Sequence, residues 1–241
     1  MTAAIERDGL PEWLLPVRAA AESVLPEQLS RFLPPTEGGR PSAVLMLFGE
    51  GAAGPDLLLL LIERARSLRA HAGQPSFPGG ALDPEDGDPA GPGPVAAALR
   101  EAEEETGLDP TGVQVFATLP ALYIPVSGFV VTTVLGWWRR ESPVGPVDPA
   151  ETGAVFRVPI ADLTDPANRA RLRHPSGYTG PAFEVADRLV WGFTAGVIDR
   201  VLHYSGLEQP WDRSRTLALS EEALQLTAPD RQRDRGSPAP R

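Results

Sequence analysis

The chain has 241 residues, a formal net charge of −10 and no cysteine. The missing cysteine excludes disulfides, a thiol nucleophile and cysteine-ligated zinc, and the charge argues against general binding to nucleic acid or to an anionic membrane, though a small anionic substrate can still be held by local arginines and a metal. All 22 basic residues are arginine, which also removes Schiff-base lysine chemistry and the lysine of a P-loop.

No stretch approaches the ~18 apolar residues of a membrane span, and no apolar core follows a basic start, so a soluble, cytoplasmic protein is expected. His71, His174 and His203 are scattered and show no metal-ligand spacing. One large domain is expected at residues 41–207, with a helical extension and linker at 1–40 and a C-terminal extension at 208–241.

Residues 11–33 carry Leu14, Leu15, Val17, Val24, Leu25, Leu29 and Phe32, interrupted by Pro16 and Pro26. They read as short helices packing on the main domain, followed by a linker at 34–41. Residues 42–48 and 56–63 read as strands around a Gly-rich turn, and the continuous apolar run 57–62 suits a strand buried on both faces. Next come Arg64, Arg66 and Arg69, which fit either a phosphate-binding loop or an ordinary solvated one.

The stretch that follows carries the chemistry. Phe77-Pro78-Gly79-Gly80 lets the backbone adopt positive φ and approach a ligand or helix closely. After a Pro-, Gly- and Asp-rich loop, residues 95–106 have Val95, Leu99 and Ala102 at helical spacing, with Pro94 at the start and Gly107 as the stop. On that helix Glu101, Glu104 and Glu105 stand at i, i+3 and i+4, so three carboxylates share one face. They crowd the last turns, where the helix dipole disfavours anions by ~0.3–1 kcal/mol each. A solvated acidic face is one reading of such a run; a hard divalent cation that relieves the repulsion is the other, and Mg²⁺ suits a few carboxylates, several waters and substrate phosphates.

Residues 113–119 and 129–138 read as strands with a turn at 125–128, and 143–149 as a loop before a strand at 154–159. Residues 160–168 and 169–181 read as helix-turn and loop, and 183–191 as a strand. Thr194 is expected to cap a helix whose Val197, Ile198, Val201 and Leu202 form an apolar stripe. Residues 211–226 read as a final helix and the polar tail from about Thr227 as disordered.

Taken together, Gly80, Asp86, Arg100, Glu101, Glu104, Glu105, Gly107 and Leu108 resemble the signature of the Nudix family. Asp86 stands where most members carry Glu, and the spacer from Asp86 to Arg100 is longer than usual. Leu60, Leu61, Arg64, Ala65, Arg69, Gly73 and Phe77 to Gly80 resemble the extra motif of the coenzyme A pyrophosphatase branch, with Ile62 replacing a Thr. Val126 to Phe129 and Trp191 to Gly196 are similar to further segments of that branch.

The resemblance implies an α/β fold, a Nudix-type α/β/α sandwich with a mixed β-sheet. It also implies a Mg²⁺- or Mn²⁺-dependent hydrolase that cleaves coenzyme A or its acyl derivatives to 3′,5′-ADP and a phosphopantetheine product. Glu101 and Glu105 are then the first metal ligands, Glu104 a third ligand or base, and Arg100 the residue that orients a Glu. Glu151 fits a base or water-orienting acid, or simply an exposed Glu at a strand entry. Arg64, Arg69, Gly73, Phe77, Gly79 and Gly80 are the candidate substrate contacts. Two other readings stay open: hydrolysis of ADP-ribose or dinucleotides, and a non-catalytic nucleotide sensor, which loss of a signature Glu would favour. Oligomeric state is not readable from these residues.

Overall fold

The computed structural model describes residues 4–51, 54–64, 74–175 and 177–219, the stretch 54–64 by its backbone alone. Two short helices come first, α1 (Leu15–Ser23) and α2 (Pro26–Leu29). Their prolines, Pro16 and Pro26, sit in the first turns, where a missing N–H breaks no helical hydrogen bond, so they start the helices.

The strands β1 (Arg40–Gly51), β2 (Gly54–Arg64), β3 (Pro75–Ser76) and β4 (Gly79–Ala81) lead into helix α3 (Gly93–Thr106). Then follow β5 (Val113–Thr118), β6 (Leu122–Ile124), β7 (Phe129–Trp138) and β8 (Thr152–Pro159). These strands form one mixed sheet in the order β3-β2-β1-β7-β5, with β4 paired to β1, β6 to β7 and β8 to β2. Only β1 and β7 run parallel, from Arg40 opposite Phe129 to Phe48 opposite Trp137.

Helix α4 (Ile160–Thr164) leads to β9 (Arg169–Arg173), β10 (Thr179–Val185) and β11 (Arg188–Val190), then helix α5 (Gly192–Tyr204) and β12 (Thr216–Ala218). The last four strands make a second sheet, ordered β11-β10-β9-β12.

Alternation along β1 sets the layers, because successive side chains of a strand point to opposite faces. Ala43, Leu45 and Leu47 pack with Val95, Ala98, Leu99 and Ala102 of α3. Met46 and Phe48 pack in a separate cluster with Leu14, Val17 and the Val197, Ile198, Val201 and Leu202 stripe of α5. The main sheet is thus covered on both faces by helices, and burying each large aliphatic side chain contributes about 1.5–3 kcal/mol.

Four expectations need correction. Residues 169–181 are not loop: they contain β9 and the start of β10. The strand expected at 183–191 is a hairpin, because Ala186 and Asp187 both take positive φ, 50° and 56°. Two such residues make the tight turn that suits strand twist, and Ala-Asp lacks the glycine that signals it. Thr194 caps nothing; α5 already begins at Gly192, and Thr194 is buried inside its first turn. No helix occupies 211–219, where β12 adds a parallel edge to β9; residues 220–226 and the tail lie outside the described residues. The sequence reading also missed β6, which pairs with β7 through the turn ending at Gly128.

Candidate active site

Helix α3 ends as its sequence dictates. Gly107 takes the left-handed conformation at φ 70°, and its N–H donates to the Glu103 carbonyl. The neighbouring loop covers further carbonyls that a helix end leaves without partners: the Gly145 N–H donates to Thr106 and the Val147 N–H to Glu105.

Strand β4 faces the acidic turns of this helix. It lies against β1 with Val44 opposite Gly79 and Ala43 opposite Gly80. The two glycines are needed for different reasons. At Gly79, with φ 154°, a Cβ would stand 2.3 Å from the Ala43 carbonyl oxygen and 2.7 Å from the Val44 Cα. At Gly80 it would stand 2.4 Å from Oε1 of Glu101. The strand pairing therefore excludes a side chain at Gly79, whereas a carboxylate fills the place of one at Gly80. The Gly79 N–H also donates to Oε2 of Glu105 at 3.0 Å, which ties the second acid to the strand.

Arg100 is the hub of the acidic face. Its Nε and Nη2 donate to the two oxygens of Asp86 at 3.1 and 2.9 Å, a fork-on-carboxylate pair. Nη1 donates to Oε1 of Glu101 at 3.1 Å and Oε2 of Glu104 at 3.0 Å, and Nη2 also reaches the Ala81 carbonyl at 3.3 Å. Asp83 stands 3.5 Å away. Asp86, only 5% exposed in its side chain, is the best-buried of these acids. The Arg100 hydrogen bond holds its carboxyl below the ordinary range, and the same bond holds the guanidinium pKa up.

Glu101 behaves differently. Its side chain is 18% exposed, and burial pushes its carboxyl up despite Arg100, with the charges of Glu104 and Asp83 adding to the rise. One arginine thus faces Asp83, Asp86, Glu101 and Glu104, and the balance is anionic. An oxygen-only donor set with excess negative charge and one reluctant carboxylate fits a hard divalent cation. Arg100 draws Glu101 and Glu104 to itself, and among the described residues no three acidic or histidine side chains already converge as a metal cage.

The other candidates fall elsewhere. Glu151 is exposed in the turn before β8, its N–H donating to Asp148, and its carboxylate makes no hydrogen bond or ion pair among the described residues. Phe77, a candidate substrate contact, is only 3% exposed and sits in the core with Met46 and Phe48, so it anchors the start of the glycine loop. Arg69 and Gly73 lie outside the described residues, as does the Arg64 side chain. Sequence reasoning missed Asp83, although Asp83-Pro84 is a recognisable turn start, where the Asp83 N–H donates to Oδ2 of Asp86 at 2.8 Å.

A glycine strand presses against the acidic end of one helix, on a mixed sheet with helices on both faces, and the carboxylates gathered there offer hard oxygen donors. Residues 39–178 match the model of the NUDIX domain. The chain is 40% identical over 151 residues to a protein of Cronobacter sakazakii named "Uncharacterized Nudix hydrolase NudL", a match that covers 60% of this chain and 73% of that one. A protein of the same name from Escherichia coli K12 is 39% identical over 147 residues, 58% of this chain and 71% of that one. Among solved structures, a Nudix hydrolase from M. smegmatis, RenU, aligns over 71% of this chain and 89% of its own at 20% identity and a TM-score of 0.45. The chain belongs to the Nudix family, and it is a hydrolase acting on pyrophosphate bonds. Enzymes of this family generally use divalent metals. No helix among the described residues is long and apolar enough to cross a membrane.

Proposed function

We propose that this hydrolase cleaves the diphosphate linkage of coenzyme A or its acyl derivatives, releasing 3′,5′-ADP and the (acyl-)4′-phosphopantetheine, with Mg²⁺ or Mn²⁺ as the metal. The observation that carries the chemistry is the anionic surplus around Arg100, set against a strand that has no side chain at Gly80. The branch-like segments around Arg64, Arg69 and Gly73 support the substrate.

In this reading Glu101 and Glu105 hold the cation and Glu104 is a third ligand or the base. The cation, when bound, offsets phosphate charge and makes water a better nucleophile. The protein's own contribution is positioning. Asp86 fixes the Arg100 fork, Arg100 fixes Glu101 and Glu104 through a single nitrogen, and the Gly79 N–H fixes Glu105. Gly80 leaves the space in which the Glu101 carboxylate lies. Arg64 and Arg69 bind substrate phosphates, and Glu151 orients or deprotonates water.

The test is a substrate panel with products identified by mass spectrometry, run with Mg²⁺, with Mn²⁺ and with chelator. Coenzyme A should yield 3′,5′-ADP and 4′-phosphopantetheine only when metal is present. Faster cleavage of ADP-ribose or a dinucleotide would overturn the substrate assignment. Metal-independent cleavage would overturn the roles given to the glutamates.

A further inference from the structure

The second sheet carries a charge pattern opposite to that of α3. Arg171 and Arg173 alternate along β9 and are both exposed, and residues two apart on a strand share a face about 6–7 Å apart. Register places Thr216 of β12 directly opposite Arg171 and Thr179 of β10 directly opposite Arg173, so the hydroxyls line the same face as the guanidinia. His174 and Arg213 complete an open groove of about 620 Å³ over that face.

The arginines are not consumed by ion pairs. Neither Arg171 nor Arg173 has a carboxylate partner among the described residues, in a chain whose net charge is −10. Arg213 touches Glu208 at 3.4 Å and its guanidinium carbon stands 5.6 Å from the Trp211 ring centroid, contacts that hold it at the rim. Glu208 is also engaged by Arg169 and His203, so it leaves little charge for the groove. The acid nearest in sequence to the rim, Asp212, is occupied by the N–H and hydroxyl of Ser214. Like charges this close on one sheet face repel unless an anion joins them.

We infer that this groove is a second anion site, distinct in residues from the acidic face of α3, and that it takes a ligand with two or more linked phosphates, such as inorganic pyrophosphate or a nucleoside polyphosphate. Planar guanidinium forks with neighbouring hydroxyl donors match phosphoryl oxygens. The groove is larger than one phosphate needs and falls within the range of small-ligand sites, about 300–1,000 Å³. A single phosphate would bridge the Arg171 and Arg173 heads; a second would reach Arg213.

The experiment is a titration of the full chain in chelator, followed by backbone amide shifts, with inorganic phosphate, pyrophosphate, ADP and a single-stranded RNA oligonucleotide in separate arms. Chelator separates this binding from hydrolysis, so the inference can fail while the proposed function stands, and the reverse. Pyrophosphate and ADP should saturate at the amides of Arg171, Arg173 and Thr216, at least tenfold more tightly than phosphate. Tighter ADP than pyrophosphate would assign the nucleoside form, and the reverse order the inorganic one. The double substitution Arg171→Ala and Arg173→Ala should weaken binding at least tenfold, while Arg139→Ala, at an exposed arginine just past the end of β7, should leave it unchanged. The Arg171→Lys and Arg173→Lys pair preserves charge and guards against misfolding; it should bind between the parent and the alanine pair. Non-saturating shifts, equal weakening by Arg139→Ala, or preference for RNA would each overturn the inference.

Discussion

Two arginines organise two charge clusters in this molecule, and they differ in what remains after pairing. Arg169, 1% exposed, is buried between Asp199 and Glu208, and its guanidinium carbon stands 5.1 Å from the Phe183 ring centroid and 4.8 Å from that of Trp211. Asp199 also binds Arg200, and Glu208 also accepts from Trp211 and meets His203, so the acids there are fully employed. Arg100, by contrast, is one cation among Asp83, Asp86, Glu101 and Glu104 at the edge of the protein. In the first cluster both acids are spent on neighbouring side chains, which ties α5, β9 and the 208–213 segment together. The second is left anionic and open, which is the condition for recruiting a cation.

The largest effect should come from breaking the closed cluster. Burial pulls the Arg169 pKa down, and Asp199 and Glu208 oppose that pull. Asp199→Ala leaves a buried guanidinium short of a partner, which typically costs about 3–5 kcal/mol. Thermal and chemical denaturation should show that loss, while diphosphate hydrolysis at low temperature persists. A variant as stable as the parent would mean that the cluster is not what joins the second sheet to α5.

The open cluster should respond the other way. Glu105→Gln removes one of three crowded negative charges near a helix C-terminus, and its amide oxygen can still accept from the Gly79 N–H. The fold should therefore hold, with melting temperature unchanged or slightly raised. If Glu105 is a metal ligand, kcat/KM should fall by roughly a hundredfold or more, equivalent to about 2.7 kcal/mol of transition-state stabilisation. Parental turnover would remove Glu105 from the metal site.

The glycine pair sharpens the contrast within one strand. Gly79→Ala drives a Cβ into the backbone of Ala43 and Val44, which cannot step aside, so this variant should lose about 1–3 kcal/mol of stability. Gly80→Ala meets only the end of the Glu101 side chain, which can rotate away. It should fold nearly as well as the parent yet lose about tenfold or more in kcat, because a small displacement of a positioned group is costly. Equal effects on stability and activity from both variants would erase the distinction drawn here.

How much of this was legible in the sequence follows from how local each feature is. Helix α3 was readable because its start at Pro94, its stop at Gly107 and its apolar spacing all lie within one stretch. The three glutamates share a face for the same reason. The bidentate Asp86–Arg100 pair crosses a long loop, and the signature indicated the residues without their contact. The second sheet was hidden for a stronger reason. Arg169-Ala170-Arg171-Leu172-Arg173 alternates like a strand, but so many arginines read as solvated loop, and one partner, β12, arrives only after α5. Nothing local says that Arg169 is buried while Arg171 and Arg173 are exposed; α5 and Glu208 decide it.

The smallest effect expected is a pH dependence that separates two neighbouring acids of the open cluster. Glu101 has its pKa raised, chiefly by burial, and Asp86 has its pKa lowered, chiefly by the Arg100 hydrogen bond. A carboxyl raised on folding binds its proton more tightly in the native state, so its effect is a loss of stability as pH rises from the ordinary carboxylate value through the raised one. A carboxyl lowered on folding contributes stability above its ordinary value and loses it as pH falls through the depressed one. Glu101→Gln removes the first effect and leaves the second. In chelator, the variant should melt above the parent at neutral pH by no more than about 3 °C, and the two curves should converge as pH falls through the ordinary carboxylate range. A variant that melts below the parent at neutral pH would show that the Arg100 contact outweighs burial at Glu101, and the acidic face would then be balanced rather than anionic.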